Sequence, residues 1–278
     1  VHCHGGHVAA ERIAQSLVAA GCQRIDWPQW IEHAEPDPIR ADALIALAGA
    51  TTSRTAAVLL DQASGTLRAA LDALTSELEA GQTDRTLARL DDLLALAGVG
   101  RHLVEPYRVV LAGPPNVGKS SLINALLGYA RAIVHDAPGT TRDAVSELAA
   151  LDGWGVQLTD TAGQRSGAAA LEAAGIQLAR RRLEQADLVV LVFDAQCQSP
   201  LDADHELLAA WPNALVVANK CDLLSAQPVP EWLQSALLVS AQKGTNVAEL
   251  ARRIVERLVP RPPRSGEPVP FAPAQVDA

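Results

Sequence analysis

Short apolar runs alternate with helix-like segments in the larger, C-terminal part of the chain. Five short runs are strand candidates, at residues 108–112, 156–160, 188–193, 214–218 and 237–239, and all but 156–160 are almost wholly apolar. Such runs between helices are typical of buried strands in a mostly parallel sheet. The pair Asp152-Gly153 lies between two strand candidates and predicts a hairpin, which adds one antiparallel edge strand. We therefore expect an α/β domain that ends in a helix over residues 246–258.

The chain before residue 107 has helical spacing instead. Val8, Ile13 and Leu17 predict a helix near the start of the chain, after a glycine pair that suits a turn. Further along, leucines recur at helical steps, which predicts an apolar stripe that packs against a core. This stripe consists of Leu60, Leu67, Leu71, Leu74 and Leu78, and it continues on another helix at Leu87, Leu90 and Leu94.

These patterns divide the chain into four parts. The four parts are an incomplete small N-terminal α/β unit (1–35), a helical segment (36–106), the α/β domain (107–260) and a tail (261–278). The tail is rich in proline, so we expect it to be disordered. The chain begins at Val1 and contains no methionine, so we expect the natural N-terminus to lie upstream.

Composition excludes some classes of function. The 278 residues are 49% hydrophobic, which is enough for a sizeable core, and the net charge is −9. An acidic chain is a poor generic binder of nucleic acid or of an anionic membrane. No apolar run approaches the ~20 residues of a membrane span, and no signal peptide is visible. The four cysteines lack CxxC spacing, so we expect a reducing, cytoplasmic setting.

A phosphate-binding loop stands between the first predicted strand of this domain and a helix. The stretch from Gly113 to Ser121 reads Gly-Pro-Pro-Asn-Val-Gly-Lys-Ser-Ser and matches the pattern GxxxxGK[ST]. Backbone N–H groups of such a loop point at phosphate oxygens, and the helix N-terminus adds positive potential. We expect Lys119 to neutralise the β- and γ-phosphates and Ser120 to ligate Mg²⁺. The nucleotide-binding residues predicted in the loop are Asn116, Val117, Gly118, Lys119, Ser120 and Ser121.

Two further segments suit the γ-phosphate and its metal. Asp160-Thr161-Ala162-Gly163 closes an apolar strand, where the Asp160 carboxylate faces the metal and the Gly163 N–H approaches the phosphate. Thr140 and Thr141 lie in a long loop, and we expect the Thr141 hydroxyl to complete Mg²⁺ coordination. Both segments are expected to be ordered by the γ-phosphate.

Two motifs after the last predicted strands favour guanine over adenine. Asn219-Lys220-Cys221-Asp222 places a carboxylate where guanine N1–H and N2–H₂ can donate two hydrogen bonds, which adenine cannot supply. The Lys220 stem is expected to lie on the base, and Asn219 to tie this loop to the phosphate loop. The second motif begins with Ser240 and Ala241, and the Ala241 N–H can reach guanine O6. The expected nucleotide is therefore GTP, with GDP as the product.

Residues 107–260 resemble the translation-factor-like branch of P-loop GTPases, and within it the TrmE (MnmE) family of tRNA-modification GTPases. The nearer resemblance rests on the phosphate loop with Asn116, on the loop Ile133-Val134-His135-Asp136-Ala137-Pro138-Gly139-Thr140-Thr141-Arg142-Asp143, and on His2-Cys3-His4-Gly5-Gly6. It implies a P-loop GTPase domain with a mostly parallel sheet, a helical segment and the remnant of a small N-terminal α/β domain.

The resemblance also implies a mechanism. Asn116 would help to bind K⁺, which replaces an arginine finger in this family, and Glu172, before Gly175-Ile176, would act as the acid/base glutamate. Gln164 follows Gly163 at the position where Ras-type enzymes orient the attacking water, so it is a second candidate. The family further implies a homodimer through the G domains and a flavin-dependent tRNA-modification partner protein. Contact with tRNA itself is left open, and no membrane partner is expected.

Two other functions and one metal site are weighed beside this interpretation. The last cysteine is Cys221, so the family's Cys-x-Gly-Lys motif is not in this sequence, which favours a GTP-dependent interaction switch without modification chemistry. A ribosome-assembly GTPase like Era or Der would carry an RNA-binding module or a second G domain, and neither is visible. The cluster His2, Cys3, His4 and His7 suits Zn²⁺ chemically, but a remnant of the N-terminal unit is the preferred interpretation.

Overall fold

A computed structural model of the chain describes residues 6–130, 146–160, 181–224 and 229–276. Its centre is a six-stranded sheet in the order β2-β3-β1-β4-β5-β6. Every pair is parallel except β2 with β3. The strands are β1 (Tyr107–Ala112), β2 (Ser146–Leu151), β3 (Trp154–Asp160), β4 (Leu188–Asp194), β5 (Leu215–Asn219) and β6 (Leu237–Leu238).

Ten α-helices are present in the part of the chain that the structure describes. They are α1 (His7–Ala19), α2 (Trp27–Ala34), α3 (Pro38–Ala48), α4 (Ser53–Ala63), α5 (Thr66–Glu79), α6 (Thr83–Arg101), α7 (Lys119–Tyr129), α8 (Asp202–Ala210), α9 (Val247–Leu258) and α10 (Pro273–Val276). Residues 181–184 are also helical, and Cys221–Leu223 and Glu231–Leu233 form 3₁₀ turns. Within the described ranges, none of the helices has the length and hydrophobicity needed to cross a membrane.

The predicted α/β sheet is confirmed, including its antiparallel edge. Asp152 and Gly153 both have positive φ, 45° and 80°, which is the backbone of a tight hairpin turn between β2 and β3. Alternate residues of β4 face opposite layers, because successive strand side chains point to opposite sides of a sheet. Val190 and Val192 face α7 and α9, whereas Leu191 and Phe193 join a second cluster that includes residues of α8.

The predicted leucine stripe of the helical segment is only partly correct. Leu67 and Leu74 are buried, but Leu60 and Leu78 are more than half exposed. Gly65 has φ of 98° and separates α4 from α5, so Leu60 and Leu67 do not share one helix face. On α6 the buried positions are Leu93, Leu96 and Val99, while the predicted Leu87, Leu90 and Leu94 are exposed. The expected stripe on α6 is therefore wrong.

The prediction of a disordered tail is wrong for residues 261–276. Val269 is fully buried and Phe271 is 8% exposed, both in the main core. The Gln62 side chain donates to the Glu267 carbonyl at 3.1 Å and accepts from the Val269 N–H at 3.1 Å. Proline fixes φ and lacks an N–H donor, but neither property prevents a proline-rich segment from packing when other residues supply its polar partners. We call residues 261–276 the C-terminal strap.

The N-terminal part is helical over the residues that the structure describes. No residue of α1 is buried, and Trp27 and Trp30 of α2 are about half exposed. No strand occurs in residues 6–35, and His2, Cys3 and His4 lie outside the described residues. The α/β character of residues 1–35 therefore stays a prediction.

Candidate functional site

Four polar segments meet at the carboxyl edge of the sheet. Strand β1 leads into the segment from Gly113 to Ser121, β3 ends at Asp160, β4 at Asp194 and β5 at Asn219. Because β1, β3, β4 and β5 are parallel, their last residues lie side by side. Ligands of open α/β sheets bind at this edge. The motifs predicted from sequence are therefore neighbours in space.

The loop before α7 needs glycine at two positions. Gly118 has φ of 93°, and a Cβ there would lie 2.5 Å from the Asn219 amide nitrogen. A Cβ at Gly113, where φ is 145°, would lie 2.1 Å from the Val192 carbonyl oxygen. Asn116 also has positive φ, 65°, and is exposed. The loop thus lies closely packed between β4 and the end of β5, and it leads directly into the N-terminus of α7.

Lys119 is 4% exposed and spans the loop from the inside. Its ammonium donates to the carbonyl oxygens of Gly113 and Pro114, at 2.9 and 2.8 Å. A buried ammonium requires such acceptors, because the desolvation of a charge is costly without partners. The positive charge is therefore held at the concave side of the loop, beside the helix N-terminus that already favours anions.

Ser120 and Asp160 are brought together. The Ser120 hydroxyl is hydrogen-bonded to Asp160 Oδ2, although the two residues are 40 positions apart. Asp160 is 5% exposed at the end of β3, and Ser120 is exposed at the start of α7. Carboxylate and hydroxyl oxygens are hard ligands of the kind that Mg²⁺ prefers. The donor set thus fits a magnesium ion held by one or two protein groups beside a phosphate.

Asn219 joins three of the predicted motifs. It is 2% exposed, its amide donates to the Val117 carbonyl at 2.9 Å, and its side-chain oxygen accepts from the Ala241 N–H at 3.1 Å. A single buried amide thus holds the phosphate loop and the segment after β6 at fixed separation. Both bonds agree with the predicted role of Asn219 as a tie between loops.

These segments enclose a cavity of about 270 Å³. Its walls include Gly118, Ser121, Lys220, Asp222 and Ala241. The Asp222 side chain is exposed, as is required of a carboxylate that receives hydrogen bonds from a ligand. Ser240 is fully buried, and its hydroxyl accepts from the Lys243 N–H at 3.0 Å, which fixes the turn that carries Ala241.

Five predicted site residues lie outside the residues that the structure describes. They are Thr140, Thr141, Gly163, Gln164 and Glu172. Their expected roles at the γ-phosphate stay predictions.

Asp194 is a residue of this edge that the sequence predictions did not include. Its carboxylate accepts from the Lys220 ammonium at 2.7 Å. The available signal was an acidic residue that directly follows the apolar run 188–193. The carboxyl ends of neighbouring parallel strands share one edge, so such a residue lies beside the motif after β5.

Comparisons with known proteins agree with this geometry. Residues 108–220 match a family model described as 50S ribosome-binding GTPase. A tRNA modification GTPase MnmE from Moorella thermoacetica (strain ATCC 39073 / JCM 9320) is 33% identical over 294 residues, which cover 92% of this chain and 63% of the relative. The MnmE of Xanthomonas campestris pv. campestris (strain B100) is 44% identical over 188 residues, or 67% of this chain and 42% of the relative.

The chain thus spans less than two thirds of the length of these curated relatives. Among solved structures, a variant of Aquifex aeolicus Era bound to GDP and AlF₄⁻ is 28% identical. The match covers 54% of this chain and 56% of the Era chain, with a TM-score of 0.42.

Proposed function

Because the chain belongs to the MnmE (TrmE) family of tRNA modification GTPases, we propose that it binds GTP with Mg²⁺ and hydrolyses it to GDP and phosphate. The observation that carries this proposal is the buried Asn219 amide, which joins the phosphate loop to the segment after β6 around one cavity. A loop for phosphates and a cavity for a base, held at fixed separation, suit a nucleotide better than a phosphate or a nucleoside alone.

The loop from Gly113 to Ser121 would bind the phosphates. Its N–H groups and the N-terminus of α7 provide positive potential. The Lys119 ammonium adds a full positive charge, and on nucleotide binding it would exchange its hydrogen bonds with the Gly113 and Pro114 carbonyls for hydrogen bonds with phosphate oxygens. Because the negative charge on these oxygens changes during phosphoryl transfer, a preorganised cation there lowers the barrier. Lys119 is therefore both a binding and a catalytic residue in this proposal.

Ser120, Asp160 and Thr141 would hold Mg²⁺, with Asp160 acting through a water molecule. When bound, Mg²⁺ neutralises the β- and γ-phosphates. The hydrogen bond between Ser120 and Asp160 brings two of these three groups together. Thr140 and Gly163 would bind the γ-phosphate, and their contacts with it would report whether GTP or GDP is bound.

The cavity beside Asn219 would bind guanine. Asp222 would accept hydrogen bonds from N1–H and N2–H₂, the Lys220 stem would cover one face of the base, and the Ala241 N–H would donate to O6. In the structure the Ala241 N–H bonds the Asn219 side chain, so guanine O6 would share this donor or the amide would shift.

Hydrolysis needs a positioned water molecule, and two residues are proposed for this task. Glu172 corresponds to the family's acid/base glutamate, and Gln164 follows Gly163 at the position that orients water in Ras-type enzymes. Asn116 would help to hold K⁺, which when bound supplies the positive charge that other GTPases obtain from an arginine. We further propose that two G domains pair during hydrolysis, and that the activity serves tRNA wobble-uridine modification with a flavin-dependent partner protein.

The K⁺ proposal is tested by the rate of GTP turnover in KCl and in NaCl at equal ionic strength. We expect the chain to be at least about tenfold faster in KCl, which corresponds to one cation contact in the transition state. The substitution Asn116→Ala should remove this difference while GDP binding persists. Equal rates in the two salts would remove K⁺ from the mechanism and leave the GTPase assignment intact.

A second hydrolysis assay distinguishes Glu172 from Gln164 as the residue that positions the water. Glu172→Ala and Gln164→Ala are compared in single-turnover hydrolysis at saturating GTP, so that binding does not enter the rate. The residue that positions the water should slow the chemical step by about 10²–10⁴-fold when it is removed. A loss below threefold for both variants would contradict the assignment of either.

A further inference from the structure

The ion pair between Lys220 and Asp194 joins the guanine loop to the neighbouring strand. Lys220 Nζ lies 2.7 Å from Asp194 Oδ2, and the two side chains are 33% and 25% exposed. The Lys220 side chain is thus two thirds buried and that of Asp194 three quarters buried, so the pair is screened less than a surface pair. Its partners come from the ends of two adjacent parallel strands, β4 and β5.

Asp194 itself has little freedom. Its second carboxylate oxygen accepts from the Gln196 N–H at 3.0 Å, a local turn that fixes the rotamer. The strand register pairs Asp194 with Asn219, and the Ala195 N–H donates to the Asn219 carbonyl at 2.8 Å. The carboxylate is therefore held relative to the backbone of the residue that precedes Lys220.

Lys220, in contrast, needs an external restraint. Its backbone has φ of 64°, in the left-handed region, and its side chain lines the cavity of about 270 Å³ beside Asp222. A lysine stem has four rotatable bonds and would sample many directions if its ammonium were in solvent. With the ammonium bound to Asp194, the apolar stem is left as a fixed part of the cavity wall.

We propose that Asp194 is a positioning residue for guanine nucleotide binding, which holds the Lys220 stem as one wall of the base pocket. The proposal rests on the proposed function, since it needs a purine in that cavity. Asp194 does not touch the nucleotide in this arrangement. It acts by removing, before the ligand arrives, the rotamer freedom that Lys220 would otherwise lose on binding.

The test measures dissociation of fluorescent mant-GDP, in the presence of Mg²⁺ and an excess of unlabelled GDP. Asp194→Asn keeps the size of the side chain and removes its charge, so dissociation should be about three- to tenfold faster. Lys220→Met keeps an apolar stem and removes the ammonium. If Asp194 acts through this ammonium, the double variant should be no faster than the faster single variant.

A second measurement separates positioning from general damage to the loop. The Lys220 stem would cover any purine alike, so Asp194→Asn should weaken GDP and IDP, the diphosphate of hypoxanthine, by the same factor. A collapsed loop would displace Asp222 and lower the GDP-to-IDP preference. Asp91→Asn, an exposed carboxylate on α6, is the matched control and should leave dissociation unchanged.

Three results would overturn the proposal. They are dissociation from Asp194→Asn within twofold of the unchanged chain, penalties of the two single variants that add in full, or a reduced GDP-to-IDP preference in Asp194→Asn. Absence of mant-GDP binding by the unchanged chain would overturn the proposed function as well, so the two failures are distinguishable.

Discussion

At the scale of single residues, Asp222 is the side chain that we propose to select the base in this site. Its exposed carboxylate in the cavity can only accept hydrogen bonds, which suits the N1–H and N2–H₂ edge of guanine. In Asp222→Asn the side chain gains a donor, so it suits the oxygen that xanthine carries at that edge. We expect the affinity for GDP to fall by about 10- to 100-fold and that for xanthosine diphosphate to rise, measured by calorimetry.

Asp202→Asn is a matched control for that change, because Asp202 is an exposed carboxylate in the first turn of α8. It should leave both affinities as they are. A preference for GDP that survives in Asp222→Asn would remove Asp222 from base recognition.

At Gly118 we expect nucleotide binding to depend on the backbone conformation rather than on a side chain. An alanine there would combine positive φ of 93° with a Cβ placed 2.5 Å from the Asn219 amide nitrogen. The strain of about 1–3 kcal/mol would be relieved by moving the loop or breaking the Asn219 bond to Val117. We expect Gly118→Ala to lose mant-GDP binding at micromolar nucleotide while the thermal midpoint falls only moderately.

Gly128 provides the control for this substitution. It lies in α7, where an added Cβ would meet no atom within 4 Å. Gly128→Ala should keep nucleotide binding and stabilise the helix by about 0.5–1 kcal/mol. If both alanine variants bind mant-GDP equally well, the phosphate loop does not need the backbone that the structure assigns to Gly118.

At the scale of elements, a single buried amide forms two hydrogen bonds with the C-terminal strap. Gln62 of α4 is 1% exposed and bonds the Val58 carbonyl, the Glu267 carbonyl and the Val269 N–H. Gln62→Ala leaves the two backbone groups of the strap without these partners in a buried place. We expect a loss of about 1–3 kcal/mol in the free energy of unfolding, measured by urea denaturation.

Limited proteolysis adds a local measure, because a released strap should be cleaved before the sheet is. Gln234→Ala removes an exposed amide and should change neither the free energy of unfolding nor the cleavage order. A strap that stays protected in Gln62→Ala would show that Val269 and Phe271 hold it by apolar packing alone.

Elements were predictable from the sequence where their partners are close or their pattern is uniform. Strands β1, β4 and β5 are almost wholly apolar, so their runs identify them directly, and Asp152-Gly153 is a turn by its own backbone preference. The strap was not predictable, because its hydrogen bonds to α4 come from Asp61 and Gln62, more than 200 positions earlier in the chain. Proline content describes a segment's own preferences and carries no information about such a distant partner.

The same difference between local signals and contacts with distant residues explains which parts of the candidate site could be predicted. The phosphate loop and the motif that begins at Asn219 are each contiguous in sequence, so their places at the ends of β1 and β5 could be predicted before the structure. The predicted leucine stripe is wrong at Leu60 because the periodicity assumes a single helix. Gly65 turns the chain between Leu60 and Leu67, so the two leucines lie on helices with different axes. Asp194 was not among the predicted site residues because its place in the site depends on the register of β4 with β5, which puts it opposite Asn219.

At the scale of the whole molecule, the helical segment is attached at two places to the edge of the sheet where the parallel strands β1 and β3 begin. The Thr52 hydroxyl donates to the Gly153 carbonyl at 2.6 Å, and Arg54 pairs with Asp152 at 3.1 Å, so the start of α4 sits on the hairpin. Beyond the end of α6, the His102 ring stacks on Tyr107 at a centroid distance of 3.8 Å.

The His102 contact should make this attachment sensitive to pH. Burial lowers the pKa of His102 below its ordinary value of 6.5, and it outweighs the opposing effect of Asp187, whose carboxylate lies 3.6 Å from Nε2. Glu105 also favours the charged ring, and Arg108 opposes it. In the unfolded chain the pKa returns to its ordinary value. Between the two pKa values the unfolded state therefore binds more protons, so stability falls as the pH is lowered through that window.

We expect the thermal midpoint to fall as the pH is lowered from about 7.5 to about 5.5, and to fall less in His102→Gln, which cannot take up the proton. His205→Gln is the control, because His205 is exposed on α8 and its loss should leave the slope of the midpoint against pH as it is. Scanning calorimetry at several pH values measures both slopes. If His102→Gln and the unchanged chain lose stability in parallel, the pH dependence arises elsewhere, and the stacking on Tyr107 holds the helical segment without regard to the charge of the ring.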